Sequence, residues 1–410
     1  MIVLVVNAGS SSLKYQLFDT EKNYAVLAKG LCDCIGLKEG GKIVHKVGEK
    51  KYETEVSIPN HSFAVELVVK ALTNKDYGVI RSMDEIEAVG HRIVHGGPYF
   101  SESVLVTEQV LKNLEKCRPL APLHTGAHIQ GIEGITAVLK GVPQVLVIDT
   151  GFHCSMSAVA KTYALPKDIA EDLAIRRYGA HGTSHEFISS VVPSVIGKPA
   201  EGLKQIVLHI GNGASASAEI SGKPVETSMG LTPLEGLVMG GRTGDIDPAV
   251  VFHLIRNAHM SVDELDTLFN KRSGMMGLTG FGDLREVHRL VEEGNEDAKL
   301  ALDIYVHRIV GYIGNYTAQM GGVDVITFTA GVGENDDVVR KMVCDKLAPF
   351  GVKLDEEKNA TRSKEPRIIS TPDSAVTICV IPTNEELAIA RKSAAIAEEG
   401  KDSYGNVFSK

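Results

Sequence analysis

The sequence predicts an α/β fold in which two halves follow a similar plan. Short β-branched runs bounded by Gly, Asp, Asn or Pro alternate with longer runs of helical spacing, and this alternation is typical of α/β proteins. A pattern of strand, small polar residues and second strand occurs in VLVVNAGSSSLKYQLFD (3–19) and again in IVLHIGNGASASAEI (206–220), about 200 residues later. The repeat indicates two duplicated domains that face each other across a cleft, whereas two glycine hairpins that match by chance are the alternative interpretation.

The individual elements follow from these patterns in chain order. Strands are predicted at Ile2–Val6, Gln144–Ile148, Gln205–Ile210, Val323–Thr329 and Val376–Ile381. Helical spacing predicts helices within Val104–Cys117, Lys299–Met320 and Asn384–Glu398. The last ten residues, KDSYGNVFSK, are predicted to be a loose polar tail.

Composition limits the possible functions. The 410 residues suggest two or three domains, and the net charge of −9 argues against a basic nucleic-acid surface but not against a local basic pocket. No run approaches 18 apolar residues and no basic residue precedes the first apolar run, so neither a membrane span nor a signal peptide is expected. The six cysteines match no zinc-binding spacing, which indicates reduced thiols in a cytoplasmic protein.

The first hairpin has the composition of a phosphate-binding turn. Glycine lets backbone N–H groups approach a ligand closely, Ser10 and Ser12 add hydroxyl donors, and Lys14 adds a mobile positive charge. A plain tight hairpin with polar turn residues is the alternative. A third glycine segment, Ala330–Asn335, follows a predicted strand and precedes a predicted helix, an arrangement that suits a nucleotide. It is not the dinucleotide fingerprint, because the third glycine is missing.

Longer motifs identify a family. The order of phosphate hairpin, second hairpin and adenosine segment resembles the superfamily of actin, sugar kinases and heat-shock ATPases. Seven motifs between Ile2 and about Ala397 resemble the acetate kinase family: NAGSSSLKYQLFD, GHRIVHGG, APLHTGAH, RRYGAHGTSH, HIGNGASASA, TSMGLTPLEGLVMGGRTGDIDP and TNEELAIA. The resemblance implies two actin-like (ribonuclease H-like) domains, the first comprising residues 1–150 plus a closing helix at 385–400 and the second residues 151–384, with a polar tail at 401–410. It also implies a homodimer formed largely by the second domain.

The family reaction sets the chemical requirements. ATP and acetate give acetyl phosphate and ADP by direct in-line transfer, and the acceptor is already an anion at pH 7, so no base is needed to create the nucleophile. The site must instead supply positive charge, because one anion has to approach another. Arg92 in GHRIVHGG and Arg242 in GGRTGD can hold a carboxylate or the transferring phosphoryl group, and His181 in GAHGTSH can donate to its oxygens. Structural ion pairs for the arginines and a buried neutral histidine are the alternatives.

The remaining expected roles come from the resemblance. His181 and His185 are four residues apart, like helical metal ligands, but the glutamate of zinc proteases is missing and a metal is not expected there. Asp149 is expected to orient the metal or its waters, although a role as proton carrier stays open. Asn7 and Glu385 are the expected Mg²⁺ ligands, and Mn²⁺ could substitute for Mg²⁺. Glu386 is next to Glu385 and could be confused with it. The resemblance assigns the nucleotide to Ser10, Ser12, Lys14, His209, Ile210, Gly211, Asn212, Gly213, Asp283, Leu284, Arg285, Gly331, Val332, Gly333, Glu334 and Asn335. The adenosine segment favours ATP over pyrophosphate as the donor.

The acyl pocket determines the choice of acid. The resemblance places Val94, Leu123, Ala180 and Pro233 around the methyl group of acetate, and Ala180 stands where some relatives have phenylalanine. The smaller side chain could leave room for propionate, and each additional buried methylene would contribute at most about 0.8 kcal/mol, so selectivity would be graded. Propionate or butyrate kinase activity, a hydroxyl-directed sugar kinase and a non-catalytic nucleotide switch are the other functions considered. The apolar residues Val94, Leu123 and Pro233 and the two arginines argue against the sugar kinase. A nucleotide switch would have no use for Arg92, His181 and Arg242 at the γ-phosphate.

Overall fold

The protein is described by a computed structural model of residues 1–404, in which the side chains of Leu123 and of residues 401–404 are not described. In this part of the chain there are fourteen strands, namely β1 (Ile2–Ala8), β2 (Ser12–Asp19), β3 (Ala25–Asp33), β4 (Lys42–Val47), β5 (Lys50–Glu55), β6 (Ala88–Ile93), β7 (Val104–Leu105), β8 (Gln144–Ile148), β9 (Lys204–Ile210), β10 (Ala214–Ile220), β11 (Lys223–Thr227), β12 (Val325–Thr329), β13 (Arg367–Ile368) and β14 (Thr377–Val380).

The same residues contain fifteen α-helices. They are α1 (His61–Leu72), α2 (Glu108–Lys116), α3 (Pro122–Val138), α4 (Ala158–Lys161), α5 (Lys167–Asp172), α6 (Gly182–Ile196), α7 (Ala249–Ala258), α8 (Val262–Lys271), α9 (Gly274–Thr279), α10 (Leu284–Glu292), α11 (Glu296–Met320), α12 (Ala330–Asn335), α13 (Asp337–Lys346), α14 (Glu356–Ala360) and α15 (Glu385–Tyr404). None of these helices is both long and apolar enough to cross a membrane. None of the six cysteines, all of which lie within residues 1–404, forms a disulfide bond.

The chain divides into two structural units. Unit 1 contains Met1–Cys154 and the segment that begins at Asn384, and unit 2 contains Ser155–Thr383. Each unit is built on one sheet, with helices packed against it. The predicted α/β class is therefore confirmed.

Unit 1 is organised around an eight-stranded sheet in the order β5-β4-β3-β2-β1-β6-β8-β7. Strands β1 to β5 are joined as antiparallel neighbours, while β1, β6 and β8 run parallel. Helices α1 and α3 cover one face of the sheet, and α15 packs on the other face against β1, β6 and β8. Gly90 permits this close packing, because a β-carbon there would lie 2.2 Å from Ser393 Oγ.

Unit 2 repeats the same strand plan in a six-stranded sheet. Its order is β11-β10-β9-β12-β14-β13, in which three antiparallel strands are followed by two parallel ones and by a short antiparallel edge strand. The central strands of unit 1 have the same directions in the same order. Helix α11 packs on one face among apolar side chains, and α6 contacts β9. The internal repeat seen in the sequence therefore extends to the topology of both sheets.

Most predicted boundaries lie within three residues of the observed ones, and three predictions differ in a more instructive way. The predicted helix within Val104–Cys117 is wrong at its start, because Val104–Leu105 pair with β8 as a strand and Thr107 caps a helix that begins only at Glu108. The glycine segment 330–335 is itself a short helix rather than a turn. The C-terminal helix continues to Tyr404, four residues into the predicted tail, and positions 405–410 lie outside the described residues.

Candidate active site

The hairpin between β1 and β2 positions the first group of predicted residues. The N–H of Gly9 donates to the carbonyl of Ser12 at 2.8 Å and closes the turn that holds Ser10. Asn7 and Lys14 are directly opposite each other in the antiparallel ladder. Both residues line a cavity of about 450 Å³ in unit 1, together with Glu386. The hairpin thus presents hydroxyl groups, an amide and an ammonium group, which is a donor set suited to phosphate oxygens.

A second group of unit 1 residues lies at the carboxyl ends of the parallel strands β6 and β8. Arg92, on β6, donates from Nη2 to Oδ2 of Asp149 at 2.6 Å, and Asp149 directly follows β8. The Nε of Arg92 lies 3.7 Å from Oε2 of Glu385, the first residue of α15. The side chain of Asp149 is 1% exposed, whereas that of Arg92 keeps 21% exposure. One arginine therefore holds two carboxylates while remaining accessible.

The charges of this group depend on one another. Burial raises the pKa of Glu385 to about 7, and Asp149 and Glu386 add to the rise against the opposing effect of Arg92. Burial by itself would lower the pKa of Arg92, but the negative charges of Asp149 and Glu385 raise this pKa above its ordinary value. Two carboxyl groups share Arg92, with a smaller contribution from Lys14 at Glu385, so an additional positive charge would be stabilised here.

This excess of carboxylate is the feature that fits a magnesium ion. Among the described residues, no group of three or more His, Cys, Asp or Glu side chains is arranged to hold a metal by itself. Mg²⁺ is commonly bound by only one or two carboxylates together with substrate phosphates. The arrangement of Asp149 and Glu385 therefore fits a metal that is bound together with a nucleotide.

Val94 is held by its backbone. Its N–H donates to Nε2 of His128 at 3.2 Å. Burial lowers the pKa of His128 to about 3, and the positive charge of Arg92 contributes to this decrease. The ring is therefore neutral and can accept the hydrogen bond. Leu123 lies in α3, and its side chain is outside the described part of the structure.

In unit 2, His181 and Arg242 meet at the turn between β9 and β10. A β-carbon on Gly213 would lie 3.5 Å from Nη1 of Arg242 and 3.5 Å from both Nε2 and Cε1 of His181. Arg242 donates from Nη1 to the carbonyl of Pro233 at 3.1 Å, so Pro233 positions the arginine through its backbone. Burial lowers the pKa of Arg242. Ala180, by contrast, is only 5% exposed and belongs to the main core of unit 2.

His181 is fixed from several directions. It precedes α6 in the left-handed backbone region with φ of 55°. Its ring stacks on that of His209, with centroids 4.1 Å apart and planes at 26°. Its Nδ1 lies 2.9 Å from the hydroxyl of Ser215 on β10, and Nε2 of His185 lies 2.7 Å from the same hydroxyl. The sequence showed the spacing of the two histidines, but nothing in it indicated their common partner.

A cavity of about 1100 Å³ in unit 2 brings together half of the predicted nucleotide residues. Its lining includes Gly211, Asn212, Asp283, Leu284, Arg285, Gly331, Val332 and Asn335. His288 and Asp336, which were not predicted, also line it and form a hydrogen bond of 2.7 Å between Nε2 and Oδ2. The sequence contained no signal for these two, because His288 lies on a helix of ordinary polar composition and Asp336 lies between α12 and α13.

Other predicted nucleotide residues have local structural roles. Oε1 of Glu334 accepts the N–H groups of Ala330 at 2.9 Å and Thr383 at 3.0 Å. The carbonyl of Gly333 accepts from Nη1 of the buried Arg340 at 3.0 Å. His209 lies at the end of β9 and its Nδ1 is 2.8 Å from Oγ of Ser184, while the following Ile210 is fully buried. These residues shape the walls around the turn and the cavity.

Known proteins resemble the chain over nearly its full length. Residues 2–391 match the model of the acetokinase family. An acetate kinase of Clostridium novyi is 50% identical over 400 residues, which are 97% of this chain and 99% of that protein. The crystal structure of acetate kinase from Porphyromonas gingivalis superposes with a TM-score of 0.92 at 42% identity, covering 96% of this chain and 99% of that one. A propionate kinase from Francisella tularensis gives a TM-score of 0.89 at 38% identity, again with 96% and 99% coverage. The chain therefore belongs to the acetokinase family.

Proposed function

We propose that this protein is an acetate kinase, which transfers the γ-phosphoryl group of ATP reversibly to acetate and forms acetyl phosphate and ADP. The observation that carries the proposal is the family match over residues 2–391, supported by curated acetate kinases that are 50% identical. The two clusters of side chains around Arg92 and Arg242 are of the kind that this reaction requires. In the step itself, an oxygen of acetate forms a bond to the γ-phosphorus as the bond to the β,γ-bridging oxygen breaks, and ADP leaves with that electron pair.

Arg92 binds the carboxylate of acetate in this proposal. Its guanidinium is planar, partly exposed and held in place by Asp149, so it can make a directed contact without first becoming ordered. Val94 and Leu123, with Ala180 and Pro233 in unit 2, are the proposed apolar contacts of the methyl group. Asp149 orients Arg92 and its surroundings; acetate is already ionised at pH 7, so no proton transfer through Asp149 is needed.

Arg242 and His181 stabilise the transferring phosphoryl group. Its equatorial oxygens carry negative charge in the transition state, and preorganised donors at that point are among the largest contributions to catalysis. Gly213 is suited to this site because it leaves open the space next to Arg242 Nη1 and the His181 ring. The backbone of His209–Gly213 is proposed to bind phosphate oxygens.

The nucleotide is proposed to occupy the large cavity of unit 2. Gly331, Val332 and Asn335 are the proposed contacts of its adenosine portion, and Asp283, Leu284 and Arg285 line another part of the wall. Ser10, Ser12 and Lys14 in unit 1 are proposed contacts of the phosphates. Glu334 and Gly333 contribute by holding this backbone in place.

Magnesium is the proposed cofactor, and we propose that Mn²⁺ can substitute for it. Glu385 and Asn7 would hold it, and when bound it would neutralise phosphate charge. Burial raises the pKa of Glu385 to about 7, and a bound cation would favour its ionised form.

We further propose a homodimer formed through unit 2. Helix α7 carries Val250, Phe252 and Ile255 at 36%, 54% and 40% exposure, and none of its ten residues is buried. A second copy of the chain is the proposed partner, because large apolar side chains on a helix with no buried residue are rarely left in water. Phe252→Glu should give a monomer in light scattering, whereas Val159→Glu, at a 92% exposed position on another helix, should not. We also propose a cytoplasmic location, which cysteines without disulfide bonds support.

The function is tested by measuring ADP release from Mg-ATP with no acid, acetate, propionate or butyrate, and by trapping the acyl phosphate formed. Acetate kinase activity predicts strong stimulation by acetate that declines with chain length. A maximum at propionate or butyrate would retain the mechanism and change the substrate. No stimulation by any acid would contradict the proposal and favour a nucleotide switch.

A further inference from the structure

The hydroxyl of Ser215 lies between two imidazole rings in unit 2. Its Oγ is 2.9 Å from Nδ1 of His181 and 2.7 Å from Nε2 of His185. Ser215 and His185 are both fully buried. The three side chains therefore form a short hydrogen-bonded chain that ends at a proposed catalytic residue.

A hydroxyl group has one hydrogen, and this restricts the protonation of both rings. If the two rings are neutral, Ser215 must donate to one of them and accept from the other. When Ser215 donates to His181, the hydrogen of His181 is on Nε2 and His185 must carry its own hydrogen on Nε2. When Ser215 donates to His185, the hydrogens of both rings are on Nδ1. The tautomer of His185 thus determines the tautomer of His181.

The proposed role of His181 requires the first arrangement. Its Nε2 lies beside Gly213, where Nη1 of Arg242 also lies. Arg242 already supplies a positive charge at this point, and the ring can add a hydrogen-bond donor for the same phosphoryl group. A neutral ring can donate a hydrogen bond to a phosphoryl oxygen from Nε2 only if Nδ1 is the accepting nitrogen. The stacked ring of His209 and the left-handed backbone at His181 restrict reorientation of the ring.

We propose that His185 and Ser215 are positioning residues that hold His181 as the Nε2–H tautomer. His185 donates from Nε2 to Ser215, and Ser215 donates to Nδ1 of His181. His181 then presents Nε2–H beside Arg242 without adding a charge. The proposal deepens the proposed function, on which its kinetic consequence rests, but the tautomer itself can be determined without any substrate.

The direct test is nuclear magnetic resonance of deuterated protein with ¹⁵N-labelled histidine rings, with the His181 signals assigned from a His181→Asn variant. We expect Nδ1 of His181 to show the shift of an unprotonated nitrogen and Nε2 that of a protonated one. A proton on Nδ1 of His181 in the wild-type protein, whether from the other neutral tautomer or from an imidazolium ion, would overturn the proposal.

The kinetic test compares variants that keep or remove the hydroxyl. Ser215→Ala should lower kcat by about 10-fold or more, because part of the His181 population would adopt the wrong tautomer, while KM for ATP changes little. Ser215→Thr retains the hydroxyl and should restore most of kcat. His185→Gln keeps an N–H donor in place of Nε2 and should retain more activity than His185→Leu. Ser217→Ala, on the same strand, removes a hydroxyl bonded to Glu219 and is the matched control, with wild-type kcat expected.

The outcomes separate the two proposals. Equal kcat for Ser215→Ala and wild type would overturn the positioning role. If Ser215→Ala fails to fold, the wild-type spectrum and the Ser215→Thr variant still decide the question. If the wild-type protein shows no acid-stimulated ADP release, the proposed function fails, while the ring spectra still determine whether Ser215 and His185 set the tautomer of His181.

Discussion

Replacing Glu219 by glutamine should stabilise the protein increasingly as the pH rises. Glu219 is fully buried on β10, and its Oε1 accepts the hydroxyl of Ser217 at 2.5 Å. Its Oε2 has no hydrogen-bond partner, nor has Oε1 of Gln205, the residue directly opposite on β9. Burial raises the pKa of Glu219 to about 8, so the side chain is a neutral carboxylic acid at pH 7.

The size of the effect follows from linkage. The folded pKa of about 8 exceeds the ordinary value of 4.5, so the unfolded chain loses this proton first as the pH rises. The stabilising contribution of the protonated acid is complete below pH 4.5 and is lost progressively up to about pH 8. At pH 7 the loss amounts to about 3 kcal/mol in the free energy of unfolding. Glutamine cannot ionise, so the variant avoids this loss.

The assay is urea unfolding followed by circular dichroism at pH 5 and pH 8, since the chain contains no tryptophan for fluorescence. We expect the gain of Glu219→Gln over wild type to be about 3 kcal/mol larger at pH 8 than at pH 5. Glu201→Gln, at an exposed position of the same unit, is the control and should show no such pH dependence. A gain that does not change with pH, or a variant less stable than wild type at pH 8, would refute the interpretation of Glu219 as a buried acid.

Three further predictions concern the candidate site. Arg242→Ala should lower kcat roughly 100-fold or more, because it removes charge stabilisation felt mainly in the transition state; unchanged kcat in the folded variant would contradict this role. Arg92→Met should lower the melting temperature by leaving the buried Asp149 without its cation, and adding Asp149→Asn should restore stability but not acetate-dependent turnover. If the double variant regains turnover, Arg92 serves only as a structural ion pair. Ala180→Val should raise KM for propionate more than for acetate if this residue borders the acyl group; equal changes, measured alongside the melting temperature, would remove it from the pocket.

Strands with two buried faces were the most predictable part of the fold. Gln144–Ile148 was predicted with the observed bounds, because every residue is buried and the run contains only apolar side chains after its first residue. Strand β5 was missed since KKYETE has no apolar alternation and its pairing depends on neighbouring strands rather than on its own burial. The error at Val104 arose because two strand residues continue the helical spacing of α2 by coincidence.

The identities of the site residues were predicted, but the contacts between them were not. Resemblance supplied Arg92, Asp149 and Glu385, which the structure brings into one cluster. The sequence contained the spacing of His181 and His185, but a shared hydroxyl from a different strand cannot be recognised from spacing along a helix. His288 and Asp336 were missed for the same physical reason, since 48 residues separate two side chains that meet in the fold.

The four sheet edges have a consequence for how copies of this chain can associate. Strand β5 has four charged residues among its six, β11 contains Pro224, and β7 and β13 are only two residues long. Charges, proline and brevity each discourage a further strand from joining an open edge. Growth of either sheet into a fibril or a strand-swapped pair is therefore disfavoured at all four edges. Assemblies of this protein should accordingly be held together by side chains of helices and loops, and should dissociate without any loss of β-structure.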